Sequence, residues 1–574
     1  MNVWLTEIWQ AWRASLRRPG FLLLAAGVLA LGVGSASAVF TLIDGVLLRP
    51  LPYPEPHRLV ALGRLEQGIV SGMSPQQYQQ LAGLPGVASL GIFKSETTAT
   101  NIAGYGEPVQ VQAQAFDHSL LSTLQVQPML GRNFSAQEDR PGGPPAVLLY
   151  RGFWLRRFGG DPAVVGKTLQ VEGLAHTIVG VLPAGFDLGE ASIALPAAFS
   201  TNTSNDSLDF MVVARLAPGV ARHALAAKVD TRLHAFYVAQ GHKVYGSDYW
   251  LRSHFGAQDL GAAEHQDQRA TSLMWLASAA LLLLIALVNL TNLMMLRAMG
   301  RSHDASVRGA LGASPWRVGL PSMAEGVLVG LLGVLLGQTL ATLGLAALRT
   351  WMPIDWMAVE WTRPGGLSLG WPAWCLAIAV GLFGALLATV LGLWRGHAAL
   401  SMDSLREGGR SGFGRRSGLL GRLLVVAQVA LASLLLCAAG VFLRTLFNDA
   451  KMDLGFDARG VLTFELAPVR ATYPDVASVQ RLSQRLTERL RQIPGVRQAA
   501  AGTNLPAGDF IGQWAMGELH VPGGDEFNAQ LHAANPDFFG VFGIRLLQGR
   551  VFADADVQGG EAVAIVNQKF ADQH

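Results

Sequence analysis

Residues 160–168, Gly-Asp-Pro-Ala-Val-Val-Gly-Lys-Thr, are the first candidate for chemistry, because a glycine-rich loop closed by Lys-Thr can cradle phosphates. The spacing is wrong for it. A phosphate loop needs four residues between its glycines so that successive N–H groups curl around the anion, and Gly160 and Gly166 enclose one more. The stretch is read as a turn opening a strand. The 13 histidines are scattered, with no His-Glu-x-x-His and no pair at metal-ligand spacing. His118, His176 and His303 read as surface residues, and Glu138-Asp139 as a solvated turn. No Gly-x-Ser-x-Gly elbow occurs. Both cysteines, Cys375 and Cys437, lie in apolar runs, so neither a disulfide framework nor a cysteine metal site is expected. The sets of catalytic, cofactor-binding and metal-binding residues are therefore empty, and no enzyme activity is expected of this chain.

Charge is better spent elsewhere. Between two apolar runs lies Arg301-Ser-His-Asp-Ala-Ser-Val-Arg-Gly-Ala-Leu-Gly-Ala-Ser-Pro-Trp-Arg317. On a helix, Arg301, Asp304 and Arg308 are three and four residues apart and share a face. Val307, Ala310 and Leu311 form an apolar stripe beside them. Gly312 suits a helix C-terminus, and Ser314-Pro315 an N-cap and first helical residue. The segment is expected to lie at a membrane face as a short amphipathic helix. Polar residues inside the apolar runs cost free energy and need partners. Asn289, Thr291, Asn292, Glu325, Gln338 and Gln428 are such residues, read as interhelical hydrogen bonds in preference to a solute or proton path.

The elements that position these residues follow from composition. Of 574 residues, 50% are hydrophobic and only 15% charged, where a soluble chain carries about a quarter. The surplus is concentrated in long apolar runs, and a net charge of +3 gives no field for nucleic acid. Residues 1–20, with Trp4, Trp9, Trp12, Arg13, Arg17 and Arg18, read as an interfacial lead-in, and 21–45 as the first span. A cleaved signal peptide is the rival reading of this stretch, but the apolar run continues past its small-residue site at Ala36–Ala38. Residues 46–268 hold no further span. Val109–Ala115, Ala146–Leu149, Thr168–Val171 and His176–Val181 read as strands, with helices over Pro75–Leu84 and near Val220–Gly241. Spans two to four are Trp275–Leu296, Met323–Leu345 and Trp371–Leu393, within a unit 271–394. A hydrophilic linker, 395–418, precedes a fifth span, Leu419–Leu443, and a second outer segment, 445–574. Glycines 326, 330, 333 and 337 favour close helix contact in the third span, within the chain or across a dimer. The arginines near residues 13–18, 297–317 and 395–416 fall on one side of five alternating spans, which makes that side the cytoplasm and both outer segments extracytoplasmic.

An internal repeat supports this layout: Val126-Gln-Pro-Met-Leu-Gly-Arg-Asn-Phe134 matches Ile544-Arg-Leu-Leu-Gln-Gly-Arg-Val-Phe552, and Ala146–Leu149 resembles Ala564–Val566. The second copy stops early, and truncation of the protein or its reading frame is the expectation.

Several stretches carry a family resemblance. Leu47-Leu-Arg-Pro-Leu-Pro-Tyr-Pro54 follows the first span, and Phe153-Trp-Leu-Arg-Arg-Phe-Gly-Gly-Asp-Pro-Ala-Val-Val-Gly-Lys-Thr168 leads to Ile178-Val-Gly-Val-Leu-Pro183 and Gly185-Phe186. Arg301–Arg317 resembles an Arg-x-x-Glu…Arg-x-Ala-Leu-Gly-Ala pattern, with Asp304 in place of the glutamate. Leu405–Arg410 and Leu424–Ala430 are similar to the junction of duplicated chains. Together these resemble the MacB/FtsX-like permeases of ABC transporters, in their duplicated form. The resemblance implies an α-helical membrane protein of about five transmembrane helices with large extracytoplasmic α+β domains. It further implies a permease subunit with no bound cofactor of its own, ATP and Mg being held by a separate ABC-type ATPase. Arg301, Asp304, Arg308 and Gly312 are the expected ATPase contacts. Location in the inner (cytoplasmic) membrane, contact with membrane lipid, a permease dimer or an extracytoplasmic partner, and no nucleic acid complete the expectation. The alternatives are a non-transporting FtsX-like signalling or scaffold protein, or a non-functional fragment.

Overall fold

The computed structural model describes residues 2–17, 19–44, 51–66, 69–186, 188, 191–200, 203, 205, 207–240, 249–264, 266–301, 307–308, 311–312, 314–351, 369–399, 415–450, 454–457, 459–506, 516–520, 526–530, 532–553, 555–556 and 563–573. Asp304, His303 and most of the expected linker 395–418 lie outside the described residues.

The amphipathic lead-in is helix α1 (Asn2–Leu16), and the first apolar run is α2 (Pro19–Ile43). Ala11, Trp12 and Ser15 turn inward on α1, while Trp9 and Leu16 stay exposed beside Arg13, as on a helix lying in an interface. The other spans are α9 (Gln266–Gly300), α10 (Pro315–Trp351) and α11 (Trp371–Ala399), after the short helices of the outer domain described below. Among the described residues, four stretches have the length and hydropathy to cross a bilayer: Pro19–Ile43, Ser272–Gly300, Trp316–Ala347 and Trp371–Trp394. The fifth expected span lies inside α12 (Arg415–Ala450), whose described apolar stretch is Val429–Thr445.

The four spans pack as a bundle around Leu29, Val33, Leu290, Met294, Val329 and Ala385. Small residues set how closely. A methyl group on Gly34 would lie 2.8 Å from the Gly337 carbonyl oxygen, so α2 and α10 touch backbone to backbone. Gly333 and Gly337 face α2, whereas Gly326 and Gly330 face Leu382, Ala385 and Thr389 of α11. The glycine row therefore serves contacts within the chain. Gln338 spans three helices, donating from Nε2 to Ser37 Oγ (3.3 Å) and to the Ala373 carbonyl (3.2 Å).

The first outer domain is built on strands β1 (Leu59–Glu66), β2 (Ile69–Val70), β3 (Val87–Lys94), β4 (Thr98–Ala103), β5 (Val109–Phe116), β6 (Leu130–Gly131), β7 (Ala146–Leu149), β8 (Thr168–Val171), β9 (Leu174–Val181), β10 (Ile193–Pro196), β11 (Phe210–Leu216) and β12 (Phe255–Asp259). Helices α3 (Pro75–Gln80), α4 (Leu120–Leu124), α5 (Arg151–Phe158), α6 (Arg222–Gln240), α7 (Tyr249–Arg252) and α8 (Leu260–Glu264) are interleaved. The strand order is β10-β7-β9-β8-β4-β5-β3-β11-β1-β12, and β10 also pairs in parallel with β5. That second pairing closes β10, β7, β9, β8, β4 and β5 into a ring around Ile102, Val147, Leu149, Leu169, Ile178 and Ile193. The open arm is covered by α6. Its Leu225, Val229, Leu233 and Tyr237 recur every four residues and are all buried. A capping box starts α3: Gln77 N–H donates to Ser74 Oγ, and Ser74 N–H donates to Gln77 Oε1.

Strands β1 and β12 are antiparallel neighbours, Val60 opposite Asp259. β1 follows the first span in sequence and β12 precedes the second. The two spans therefore lead into adjacent strands, and Arg215, buried on the next strand, donates to the Pro54 carbonyl on the way in.

The second outer segment holds α13 (Val476–Arg491), the hairpin β13 (Met516–His520) and β14 (Glu526–Gln530), α14 (Phe538–Val541) and α15 (Gln568–Gln573). Several of its turns repeat those of the first. Val126 N–H donates to Leu121 O and Ile544 N–H to Phe539 O, each at 2.8 Å. The residue ending the helix is left-handed in both, Gln125 (φ 57°) and Gly543 (φ 63°). Arg132 clasps Glu138 with both terminal nitrogens (2.7 and 2.8 Å), and Arg550 clasps Asp556 likewise (2.6 and 2.9 Å). A further matching turn, Leu84–Val87 and Ile493–Val496, carries Gly86 and Gly495 at φ 102° and 94°.

Candidate coupling site at one end of the bundle

Glu325 is the only Asp or Glu in the four spans by sequence, and it is 1% exposed. A carboxylate in that position requires positive partners. Two arginines at the end of α9, one helical turn apart, supply them. Arg297 Nη2 lies 3.1 Å from Glu325 Oε1, and Arg301 Nη1 lies 2.7 Å from Oε2. Arg297 also stacks over the Phe21 ring at 4.9 Å. Placing both cations at a helix C-terminus sets them against the negative end of its dipole. From α1, Ser15 Oγ donates to Glu325 Oε1 at 3.0 Å, and Trp12 Nε1 donates to the Ala324 carbonyl at 2.7 Å. Three helices thus meet on one carboxylate, and removing one partner of such a buried pair costs about 3–5 kcal/mol.

The segment 301–317 leaves from this cluster and returns to it. Val307 and Arg308 are helical, and Leu311 N–H donates to Val307 O. Gly312 has φ 83°, a conformation that ends a helix and favours glycine. Val318 N–H donates to Ser314 O, and Pro315 opens α10. The local reading of Gly312 and Ser314-Pro315 thus agrees with the backbone. At the tip, Arg308 and Gly312 are exposed, as are Val307, Leu311 (83%) and Trp316 (68%). Of the four expected contact residues, Arg308 and Gly312 share this tip. Arg301 stands at its base, turned toward Glu325, with its side chain 28% exposed. Sequence spacing offered Asp304, which lies outside the described residues, as a partner of Arg301; a described partner of Arg301 comes from the next span. The lone acidic residue in that span was the available signal.

In the outer domain the ligand atoms of Asp117, His118 and Asp139 converge within 4.8 Å of one another. Each carboxylate is already engaged. Asp117 accepts from Tyr78 OH (2.6 Å) and Ile92 N–H (3.1 Å). Asp139 accepts from Ala198 N–H (2.8 Å) and His118 N–H (2.9 Å), with His118 Nδ1 also 2.9 Å away. Burial pushes the Asp117 carboxyl up to about 6, opposed by its hydrogen bonds from Tyr78 and Ile92. Burial, then Asp117, pushes the Tyr78 phenol up as well. The cluster fastens α3, β3 and the β5–α4 turn together. In the glycine-lysine stretch, Asp161 caps a short turn over Pro162–Val164, Lys167 Nζ pairs with Asp161 Oδ2 at 2.9 Å, and β8 begins at Thr168.

The fold and these helices define a multi-pass membrane protein with large α/β domains outside the bilayer. Residues 22–232 and 387–574 match the MacB-like periplasmic core domain, and residues 276–398 match the FtsX-like permease C-terminal domain, so the chain belongs to the MacB/FtsX-like permease family. No curated protein matches it. Similar solved structures include a domain of a permease protein from Porphyromonas gingivalis (21% identity, 36% of this chain and 93% of that one, TM-score 0.28). Others are the periplasmic region of MacB from Actinobacillus actinomycetemcomitans (10%, 34% and 87%, TM-score 0.27) and the extracellular domain of the noncanonic ABC-type transporter YknZ from Gram-positive bacteria (14%, 31% and 95%, TM-score 0.25).

Proposed function

We propose that this chain is the permease subunit of an ABC transporter in the cytoplasmic membrane, with its N-terminus and the 301–317 segment in the cytoplasm. A separate ABC-type ATPase docks on that segment, and its cycle of ATP binding and hydrolysis moves the spans and, through them, the outer domains. The observation that carries this reading is the exposed tip: Val307, Leu311 and Trp316 offer apolar surface beside the cation of Arg308, on a short turn anchored at its base. The adjacency of β1 and β12 supports the outward relay, because movement between the first two spans bears directly on paired strands.

The relay serves export or another envelope process. A relay of motion without solute passage, as in a signalling or scaffold protein, is favoured by one observation. The buried hydroxyls of Thr41, Thr291 and Thr389 each donate to a carbonyl of their own helix, and the Gln338 amide nitrogen donates to two neighbouring helices. ATPase docking is tested by co-purification. Arg308→Glu with Leu311→Ser, which leaves the base of the segment untouched, is expected to lose the ATPase while inserting normally. Undiminished recovery of the ATPase by this variant refutes the docking assignment.

A further inference from the structure

Resting on the reading of 301–317 as the docking segment, we propose that Glu325 is its positioning residue: one carboxylate locks the segment, both of its flanking spans and α1 into a single rigid unit. The segment departs just after Arg301 and re-enters the bundle at Pro315, and Glu325 lies on the returning helix. The Arg301–Glu325 pair therefore closes the base of the turn, holding its outgoing and incoming stems together at 2.7 Å. Arg297 repeats the link one turn deeper at 3.1 Å, and Phe21 beneath its guanidinium brings in the start of α2. Ser15 reaches the same carboxylate from α1, and Trp12 holds the carbonyl of the neighbouring Ala324.

These contacts converge on a group that water does not reach. A carboxylate in solvent exchanges its partners freely; one that is 1% exposed cannot release an arginine without leaving an uncompensated charge. The cluster therefore resists the sliding of α1, α9 and α10 past one another. A push on the tip at Leu311 is delivered to α1 and to both spans together instead of being absorbed by bending of the turn. Without the Glu325 charge, the tip keeps its docking residues but loses its fixed relation to α1.

The test is a distance measurement on the full chain in lipid nanodiscs. Spin labels are attached at Trp9→Cys and Leu311→Cys, both exposed positions, with Cys375 and Cys437 changed to serine. With Glu325 in place, a single narrow distance population is expected. Glu325→Gln, which keeps shape and loses charge, is expected to lose that single peak to a broad distribution. Glu325→Asp, which keeps the charge, is expected to restore it in part, a rescue that a purely space-filling role would not show. A Glu325→Gln distribution as narrow as that of the parent overturns the proposal. If Glu325→Gln fails to insert, Arg301→Gln, which leaves Arg297 on the carboxylate, is read instead: a broadened peak supports the lock and an unchanged one overturns it. Labelled samples contain no ATPase, so the result stands apart from the docking reading. Loss of docking in the Arg308 and Leu311 variant is judged separately by co-purification.

Discussion

Asp117 shows how a single buried group sets a pH response. Unfolded, its carboxyl titrates near 3.8; folded, it is pushed up to about 6. Between those values the folded state holds more protons than the unfolded one, so stability falls as pH rises and the penalty is complete above about 6. It amounts to on the order of 3 kcal/mol. Glu138 acts in the opposite sense. Its hydrogen bonds with Arg132 lower it to about 2, so its contribution is present above about 4.5 and is lost as the medium becomes more acidic. The second repeat carries Asn535 where the first has Asp117, an amide of nearly the same shape without the charge. Asp117→Asn is therefore expected to fold and to remove the downward slope of outer-domain stability between about pH 4 and 6. Urea midpoints of parent and variant across that range measure it, and parallel slopes would assign the pH response to another group.

At the scale of elements, the closest helix contact is the least forgiving. Gly34 and Gly337 let α2 and α10 touch, and a side chain at either meets backbone, which cannot rotate away. Gly337→Val is expected to weaken the bundle by about 1–3 kcal/mol or more. Gly344→Val, seven residues along the same helix where nothing lies within 4 Å, serves as the control and should be close to neutral. Detergent-titrated unfolding of the two variants makes the comparison. The glycine row was legible in the sequence, because spacing of three and four residues fixes a shared face. What lay opposite it was not, since tertiary packing decides whether α2, α11 or a second chain fills the groove. The same division runs through the fold. Ala146–Leu149 and Thr168–Val171 stood out as apolar strands between turns and occur with those boundaries. The parallel pairing of β10 with β5 that closes the ring has no local signal, because four other strands lie between the two in the chain. The site divides likewise: Gly312 and Pro315 announce the turn by backbone preference, whereas Arg301–Glu325 joins two helices across it and only the charge of Glu325 hinted at a partner.

At the scale of the whole molecule, the two outer segments meet at one tight turn. Glu172, between β8 and β9, has φ 51°, a left-handed conformation that is uncommon for a residue with a long side chain. Its position is fixed from both sides. Oε1 accepts from Asn101 N–H at 2.6 Å within the first outer domain, and Oε2 accepts from Arg470 N–H at 3.0 Å in the second segment. Asn101 Nδ2 adds a bond to the Ala467 carbonyl at 2.8 Å, and Gly173 leaves room for the Ala471 methyl. The relay proposed above, from the bundle into β1 and β12, would have a route from the first outer domain to the second through a carboxylate that receives hydrogen bonds from both. Glu172→Ala keeps the backbone bond from Ala471 N–H to the residue 172 carbonyl but removes the side-chain acceptor shared by Asn101 and Arg470. The expected result is faster amide exchange at Arg470, with exchange in the strands of the closed ring unchanged. Equal protection at Arg470 in parent and variant would show that the Glu172 side chain does not hold the two segments together.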